Sequence, residues 1–135
     1  MKSYVLDASA VLDFLENGVG APRVERILNA AHKRENAVSI SVVNWGEVFY
    51  NAWQHHGEVA ATTAIARLSR LPIEIVPVEQ EQALKAGEIK ALHGLSFVDC
   101  VAAALAELRH SILVTADRDF QKLGRRVQVL WIARS

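Results

Sequence analysis

The sequence predicts a three-layer α/β/α sandwich around a central, mainly parallel five-stranded sheet, and three observations carry that expectation. Short β-branched runs alternate with longer helical patterns along the whole chain. The runs are separated by helices rather than tight turns, which calls for right-handed crossovers and a sheet covered on both faces. No linker, low-complexity tract or internal repeat breaks this rhythm, so residues 1–135 read as one domain.

Ser3 to Leu6 reads as a buried strand, followed by helices over Ala8 to Asn17 and Pro22 to Arg34, with a Gly18-Val19-Gly20 break between them. Ala37 to Ser41 is the second strand. Asn44 to His56 is a helix that gathers Trp45, Val48, Phe49, Ala52 and Trp53 on one apolar face. Gly57 ends that helix, and Glu58 to Leu71 forms another, stopped by Pro72. Ile73 to Val78 is a third strand, which Pro77 assigns to an edge or to the strand's end. Helices over Glu79 to His93 and Ser96 to His110 follow, the second so rich in alanine that a neighbour must pack close against it. Ser111 to Thr115 and Val127 to Trp131 complete the strands, with a short helix around Asp119 to Leu123 between them.

Composition excludes several classes of function. Lys plus Arg balance Asp plus Glu at 15 each, so nothing global draws the chain to nucleic acid or anionic membrane, and any such contact needs a local patch. The single cysteine, Cys100, lies in the apolar run FVDCVAAALAEL and reads as a buried small hydrophobe of a reducing cytoplasm. No signal peptide and no apolar stretch of ~20 residues is seen, so a soluble, cytoplasmic protein without membrane contact is expected. The 51% apolar content is high for such a protein and suggests surface covered by a partner. No GxxxxGK[ST], GxGxxG or GxSxG pattern occurs, which leaves NTP hydrolysis, dinucleotide binding and α/β-hydrolase chemistry without a motif.

The acids carry the chemistry. Ligands of parallel sheets sit beyond the C-terminal strand ends, and Asp7 and Asp117 each fall just after a buried strand. Glu47 lies near the start of the helix after the second strand, and Asp99 in the first turn of the Ser96 helix. Each has a plainer reading: Asp7, Asp99 and Asp117 suit helix N-termini, and Glu47 suits a solvated face. Four independent caps converging on one sheet edge would be a coincidence. Oxygen donors without a His or Cys cluster suit Mg²⁺ or Mn²⁺ rather than zinc, and such a site can cleave a phosphodiester without a protein nucleophile. Ser9 and Thr115, each two residues from an acid, are placed to hydrogen-bond a carboxylate, and Asp119 is a further candidate acid. His55 and His56 point to different helix faces, while His32, His93 and His110 suit helix C-termini.

The segments YVLDASAVLDFL, SVVNWGEVFYNAW, GLSFVDCVAAALAE and ILVTADRDFQKL resemble, in order and spacing, the PIN-domain ribonucleases, and most of all the VapC-type toxins of toxin–antitoxin pairs. The resemblance spans nearly the whole chain. It implies a PIN-like five-stranded parallel sheet, Mg²⁺- or Mn²⁺-dependent RNA cleavage, a homodimer, and a small antitoxin that lays a helix or strand across the toxin. Carried over, the family's metal-binding acids fall on Asp7, Glu47, Asp99 and Asp117, and its helper hydroxyls on Ser9 and Thr115. Family members differ over which closing acid reaches the metal, and Asp117 is preferred over Asp119 because it sits directly at the strand end.

Phosphate recognition requires local positive charge. Arg118, Lys122, Arg125 and Arg126 follow the last acidic motif and are the candidates to guide an RNA backbone, with a solvated helix face as the plainer reading. The aromatic stripe of the Asn44 helix reads as core, or in part as the antitoxin groove. Two competing functions stand beside the RNA-cleaving toxin. One is a PIN-type nuclease acting on another nucleic acid, disfavoured because the sequence shows no added helical arch or DNA-binding segment. The other is a catalytically idle interaction domain whose acids are merely caps.

Overall fold

The computed structural model describes residues 1–132. Its elements run β1 (Lys2–Leu6), α1 (Ala8–Leu15), α2 (Ala21–His32), β2 (Asn36–Ser41), α3 (Val42–His56), α4 (Glu58–Leu68), β3 (Glu74–Val76), α5 (Gln80–His93), α6 (Phe97–Leu108), β4 (Ile112–Thr115), a 3₁₀ helix (Arg118–Leu123) and β5 (Val129–Trp131). The five strands form one sheet in the order β3-β2-β1-β4-β5, with every neighbouring pair parallel. The expected PIN-like sandwich is therefore the observed fold.

Alternation along the strands divides the core in two. Leu6, Val38, Ile40 and Val114 point to the face covered by α1 and α2, where Val48 of α3 and Leu68 of α4 also bury. Val5, Val76 and Leu113 point to the other face, against Ala86 and Ile89 of α5 and the buried run Cys100–Ala106 of α6. That run explains the alanines: α6 packs both on α5 and on the sheet, and larger side chains would hold these layers apart. Cys100 is fully buried, as its apolar setting predicted.

Local chemistry sets the element ends. Ser41 both closes β2 and caps α3, its Oγ accepting from the Val43 N–H at 3.2 Å, so the helix starts two residues before the expected Asn44. Gly94 ends α5 at φ 72°, the left-handed conformation that suits glycine. Gly20 has a tighter reason: a Cβ there would come within 2.6 Å of both the Asp13 carboxylate and the Ile132 carbonyl. Pro77 lies just past β3, an edge strand of three residues. The segment expected as a short helix near Asp119 is a 3₁₀ helix capped by Asp117. No single helix among the described residues is long and apolar enough to cross a membrane.

Candidate metal centre

The order of strands decides the site. β1 and β4 are direct neighbours, with Leu6 paired to Val114 and the Asp7 N–H donating to the Val114 carbonyl at 3.2 Å. Asp7 thus emerges beside Thr115, and Asp117 follows two residues further. β2 lies on the other side of β1 and feeds α3, which carries Glu47. The first turn of α6 brings Asp99 to the same edge, capped by Ser96, whose Oγ accepts from the Asp99 N–H at 3.2 Å.

Asp7 is the most enclosed of these acids, 3% exposed. Its carboxylate accepts from Ser9 Oγ at 2.8 and 3.0 Å, from Thr115 Oγ1 at 2.5 Å and from the Ala10 N–H at 2.9 Å. The two hydroxyls are in turn held by backbone: Ala116 N–H donates to Ser9 Oγ and Asp117 N–H to Thr115 Oγ1, each at 2.9 Å. A small lattice of hydrogen bonds therefore fixes the Asp7 carboxylate against β4. Burial nonetheless dominates and pushes its pKa up from 3.8 to about 7, opposed by those hydrogen bonds and reinforced by the charge of Asp99.

The remaining acids are more open. Asp99, Asp117 and Asp119 each place a carboxylate oxygen within 4.8 Å of the other two. Burial raises the pKa of Asp99, and the charges of Asp117 and Asp119 raise it further. Glu47 is raised mainly by burial and then by Asp99 and Asp117, while a hydrogen bond from Asn44 opposes the shift. Asp99 is thus the common neighbour: its charge acts on Asp7 and Glu47, and it in turn feels Asp117 and Asp119. Asp119, the second choice for the closing acid, lies with Asp117 in the same tight group. The plain reading also holds at three positions, since Asp7 and Asp117 are N-caps and Asp99 sits in a capped first turn. Capping explains how the backbone holds these side chains, and convergence explains why so many like charges face one another.

The donor set passes a chemical test for a hard divalent cation: it is all oxygen, it repels itself without a cation, and its most buried member is rigidly oriented. Asp99, Asp117 and Asp119 form the group whose carboxylate oxygens lie close enough to share one ion; Asp7 feels the charge of Asp99, and Glu47 the charges of Asp99 and Asp117.

Sequence reasoning passed over Asn44. This residue is fully buried in the first turn of α3, where its Nδ2 donates to the Val98 carbonyl at 3.2 Å and reaches Glu47 Oε1 at 3.5 Å. It ties the helix bearing Glu47 to the helix bearing Asp99. A polar residue one turn before a candidate acid, on the inward side of an apolar helix, was the available signal.

The basic residues separate. Lys122 and Arg125 are exposed, and so is Arg118, which has contacts of its own. Arg126 instead turns inward to α5 and α6, donating to Glu107 at 2.8 Å through Nε and pairing with Glu88. Its charge is satisfied within the fold, and hydrogen bonding to Glu107 raises its pKa further. The aromatic stripe also divides: Val48 and Ala52 are core, Trp45 and Phe49 are partly covered, and Trp53 is exposed, edge-on to Phe49 at 5.6 Å.

Solved structures with this fold include the VapBC2 complex of Rickettsia felis bound to a promoter DNA fragment, with a TM-score of 0.78 at 14% identity over 97% of this chain and 99% of that one. The DNA-bound VapBC of Salmonella typhimurium gives 0.76 at 18% over 98% and 100%. The sarcin-ricin loop cleaving toxin VapC20 of Mycobacterium tuberculosis gives 0.71 at 19% over 90% and 95%. No curated protein matches the chain in sequence. Identities this low carry the fold alone. The PIN-domain family model, however, matches residues 4–126, a span containing every acid of the cluster, and the chain therefore belongs to the PIN-domain family.

Proposed function

We propose that this protein is a Mg²⁺- or Mn²⁺-dependent endoribonuclease, the toxin of a toxin–antitoxin pair, acting in the cytoplasm to cut an RNA needed for translation. The observation that carries the reading is the close group of Asp99, Asp117 and Asp119 at the C-terminal edge of the sheet, with Asp7 and Glu47 within reach of its charge. When bound there, a divalent ion supplies Lewis-acid activation of the phosphodiester and of the attacking water.

The chain's own groups supply orientation and proton handling. Ser9 and Thr115 hold the Asp7 carboxylate in one orientation, so it need not reorganise to act as a ligand. Glu47 is only half-buried, and its raised proton affinity suits it to take the proton that water loses on attack. Asn44 keeps that glutamate in register with Asp99. Lys122 and Arg125, with Arg118, give the RNA backbone positive charge beside the acidic edge.

A partner surface fits the toxin reading. A cleft of about 530 Å³ lies between α1, α3 and α4, lined by Leu12, Leu15, Ala52, Ala60 and Ala64 and rimmed by Arg67. An antitoxin helix would cover it. The homodimer implied by family resemblance has apolar surface available too, since α5 leaves Leu84 and Leu92 about two-thirds exposed. Similar chains have been solved as VapBC complexes from Rickettsia felis and Salmonella typhimurium, which supports an antitoxin partner here.

The test is direct. Purified protein is incubated with RNA and Mg²⁺ or Mn²⁺, with EDTA and Asp7→Asn as controls. Cleavage abolished in both controls is expected. Cleavage that persists in Asp7→Asn, or none with either metal, contradicts the reading and favours an idle interaction domain.

A further inference from the structure

Beside the acidic edge lies a second feature that the chemistry above does not use. A cleft of about 240 Å³ opens from Ser9 and Ala116 and runs between α1 and α3, past Leu12 and Asp13 to Asn51 and His55. It is smaller than a typical small-molecule pocket, and takes a group the size of one base rather than a whole ligand. We propose that this cleft receives a guanine base of the RNA, splayed out next to the phosphate being cut. The proposal rests on the ribonuclease reading and names what that site prefers.

The hydrogen bonds around the cleft select the ligand. Ser9 has given its one proton to Asp7 and accepts from Ala116, so it has no proton left for a ligand. His55 Nδ1 lies 2.8 Å from the Asn51 carbonyl and in the neutral ring must donate to it, which leaves Nε2 as an acceptor. Asn51 spends one N–H on the Glu47 carbonyl at 2.9 Å, keeping one N–H and its Oδ1. Asp13 lines the cleft with its carboxylate set against Gly18 and Gly20, Oδ2 accepting from the Gly20 N–H at 2.6 Å and keeping a second lone pair. Glu16, 3.6 Å from His56 Nε2, stands at the rim. The cleft therefore presents many acceptors and one spare amide donor, between the aliphatic side chains of Leu12 and Ala116.

Only one RNA base has the complement. Guanine places two adjacent donors, N1–H and the 2-amino group, beside the acceptor O6, so a carboxylate can take the donors while an amide N–H meets O6. Uracil has one donor between two carbonyls that a carboxylate repels. Adenine and cytosine each set a ring-nitrogen lone pair beside their amino group. A phosphate is refused by the same acids, so the backbone must pass outside while the base enters. The link through the Asn51 side chain to the Glu47 carbonyl places this reading within one helical turn of a catalytic candidate.

The experiment uses four otherwise identical single-stranded RNAs, with guanine, inosine, adenine or uracil next to the cut, cleaved by the wild-type protein with Mn²⁺. Inosine differs from guanine only by the missing 2-amino group. The expected result is a kcat/KM at least about tenfold higher for guanine than for inosine, the effect of one hydrogen bond to a charged acceptor. In Asp13→Asn, and separately in His55→Ala, that ratio should fall towards one while both variants keep the wild-type melting curve. Equal rates on guanine and inosine RNAs, or an undiminished preference in both variants, overturn the base reading while leaving the ribonuclease intact. No metal-dependent cleavage of any of the four overturns both. A third arm follows backbone amide shifts of residues 51–55 by NMR: guanosine monophosphate should move them at concentrations about tenfold lower than inosine monophosphate requires. Shifts produced by an arginine-containing peptide but not by guanosine monophosphate assign the cleft to a partner protein and also overturn the proposal.

Discussion

Asp7 and the Asp99–Asp117–Asp119 group lie at one sheet edge yet are built in opposite ways. Asp7 is sealed between β1 and β4, with three side-chain or backbone groups donating to it, and burial still pushes its pKa up to about 7. The other three stand at or near helix starts, Asp99 and Asp117 partly buried and Asp119 exposed, and crowd one another's charge. The difference teaches that, on the proposed reading, one carboxylate would supply a fixed direction, while the remainder would supply charge that can adjust to a cation. A rigid ligand beside a compliant set lets an ion be bound without rebuilding the fold.

The comparison breaks most sharply at Asp7. Its folded-state pKa lies above its ordinary value of 3.8, so the folded protein holds a proton that the unfolded chain has already released. The stability tied to that proton is complete below about pH 4 and is lost as pH rises through about 7, a change of roughly 4 kcal/mol. Asp7→Asn should therefore abolish RNA cleavage, by at least about 100-fold. The same variant should be more stable than wild type at pH 8 without divalent metal, and little different at pH 4. Thermal melts at the two pH values check this, and a wild-type melt that rises from pH 4 to pH 8 in the absence of metal contradicts it.

Metal affinity sharpens the same contrast. Because Asp7 must lose its proton to become a ligand, Mn²⁺ binding should tighten by close to tenfold per pH unit from about 5.5 to 7, then level off. Titration calorimetry in two buffers of different ionisation enthalpy should show proton release over that window. Affinity that does not change across it counts against Asp7 as a ligand.

A smaller effect is expected from Thr115→Val, which removes the donor to Asp7 and the acceptor of the Asp117 N–H. Loss of these buried bonds should cost about 1–3 kcal/mol and weaken Mn²⁺ binding about 10- to 100-fold. Asp119→Asn, on the exposed side, should weaken Mn²⁺ binding with little change in melting temperature. If the two variants lose stability equally, the contrast between a fixed and a compliant ligand is wrong.

Smallest is the split within the basic cluster. Arg125→Glu should lower RNA affinity and the slope of its salt dependence. Arg126→Ala should leave that slope alone and lower the melting temperature by a few degrees, because its guanidinium joins α5 to α6 through Glu88 and Glu107. Filter binding at several salt concentrations separates the two.

Much of this was legible in the chain, for identifiable reasons. β1 and β4 announce themselves because strands buried on both faces need continuous apolar runs, and an acid just past such a run must lie at the sheet edge. Ser9 and Thr115 were legible through their two-residue spacing from those acids. The strand order was not, since hydrophobic pattern fixes which residues are buried but not which strand lies beside which. The start of α3 was misplaced because the β-branched pair Val42-Val43 continues the look of a strand, while one hydrogen bond from the Val43 N–H to Ser41 begins the helix. The setting of Asn44 and the pairing of Arg126 were illegible for a shared reason. Burial of a polar side chain, and pairing with acids 38 and 19 residues away, are tertiary facts with no local signature.

The central claim is that carboxylates distant along the chain gather around a divalent cation at the end of a parallel sheet. Crystals grown with Mn²⁺ and measured for anomalous scattering test it without reference to activity. The account predicts a strong peak between Asp99 and Asp117, within ligand distance of Asp7. A peak held by other residues, or none at millimolar Mn²⁺ above pH 7, would contradict it.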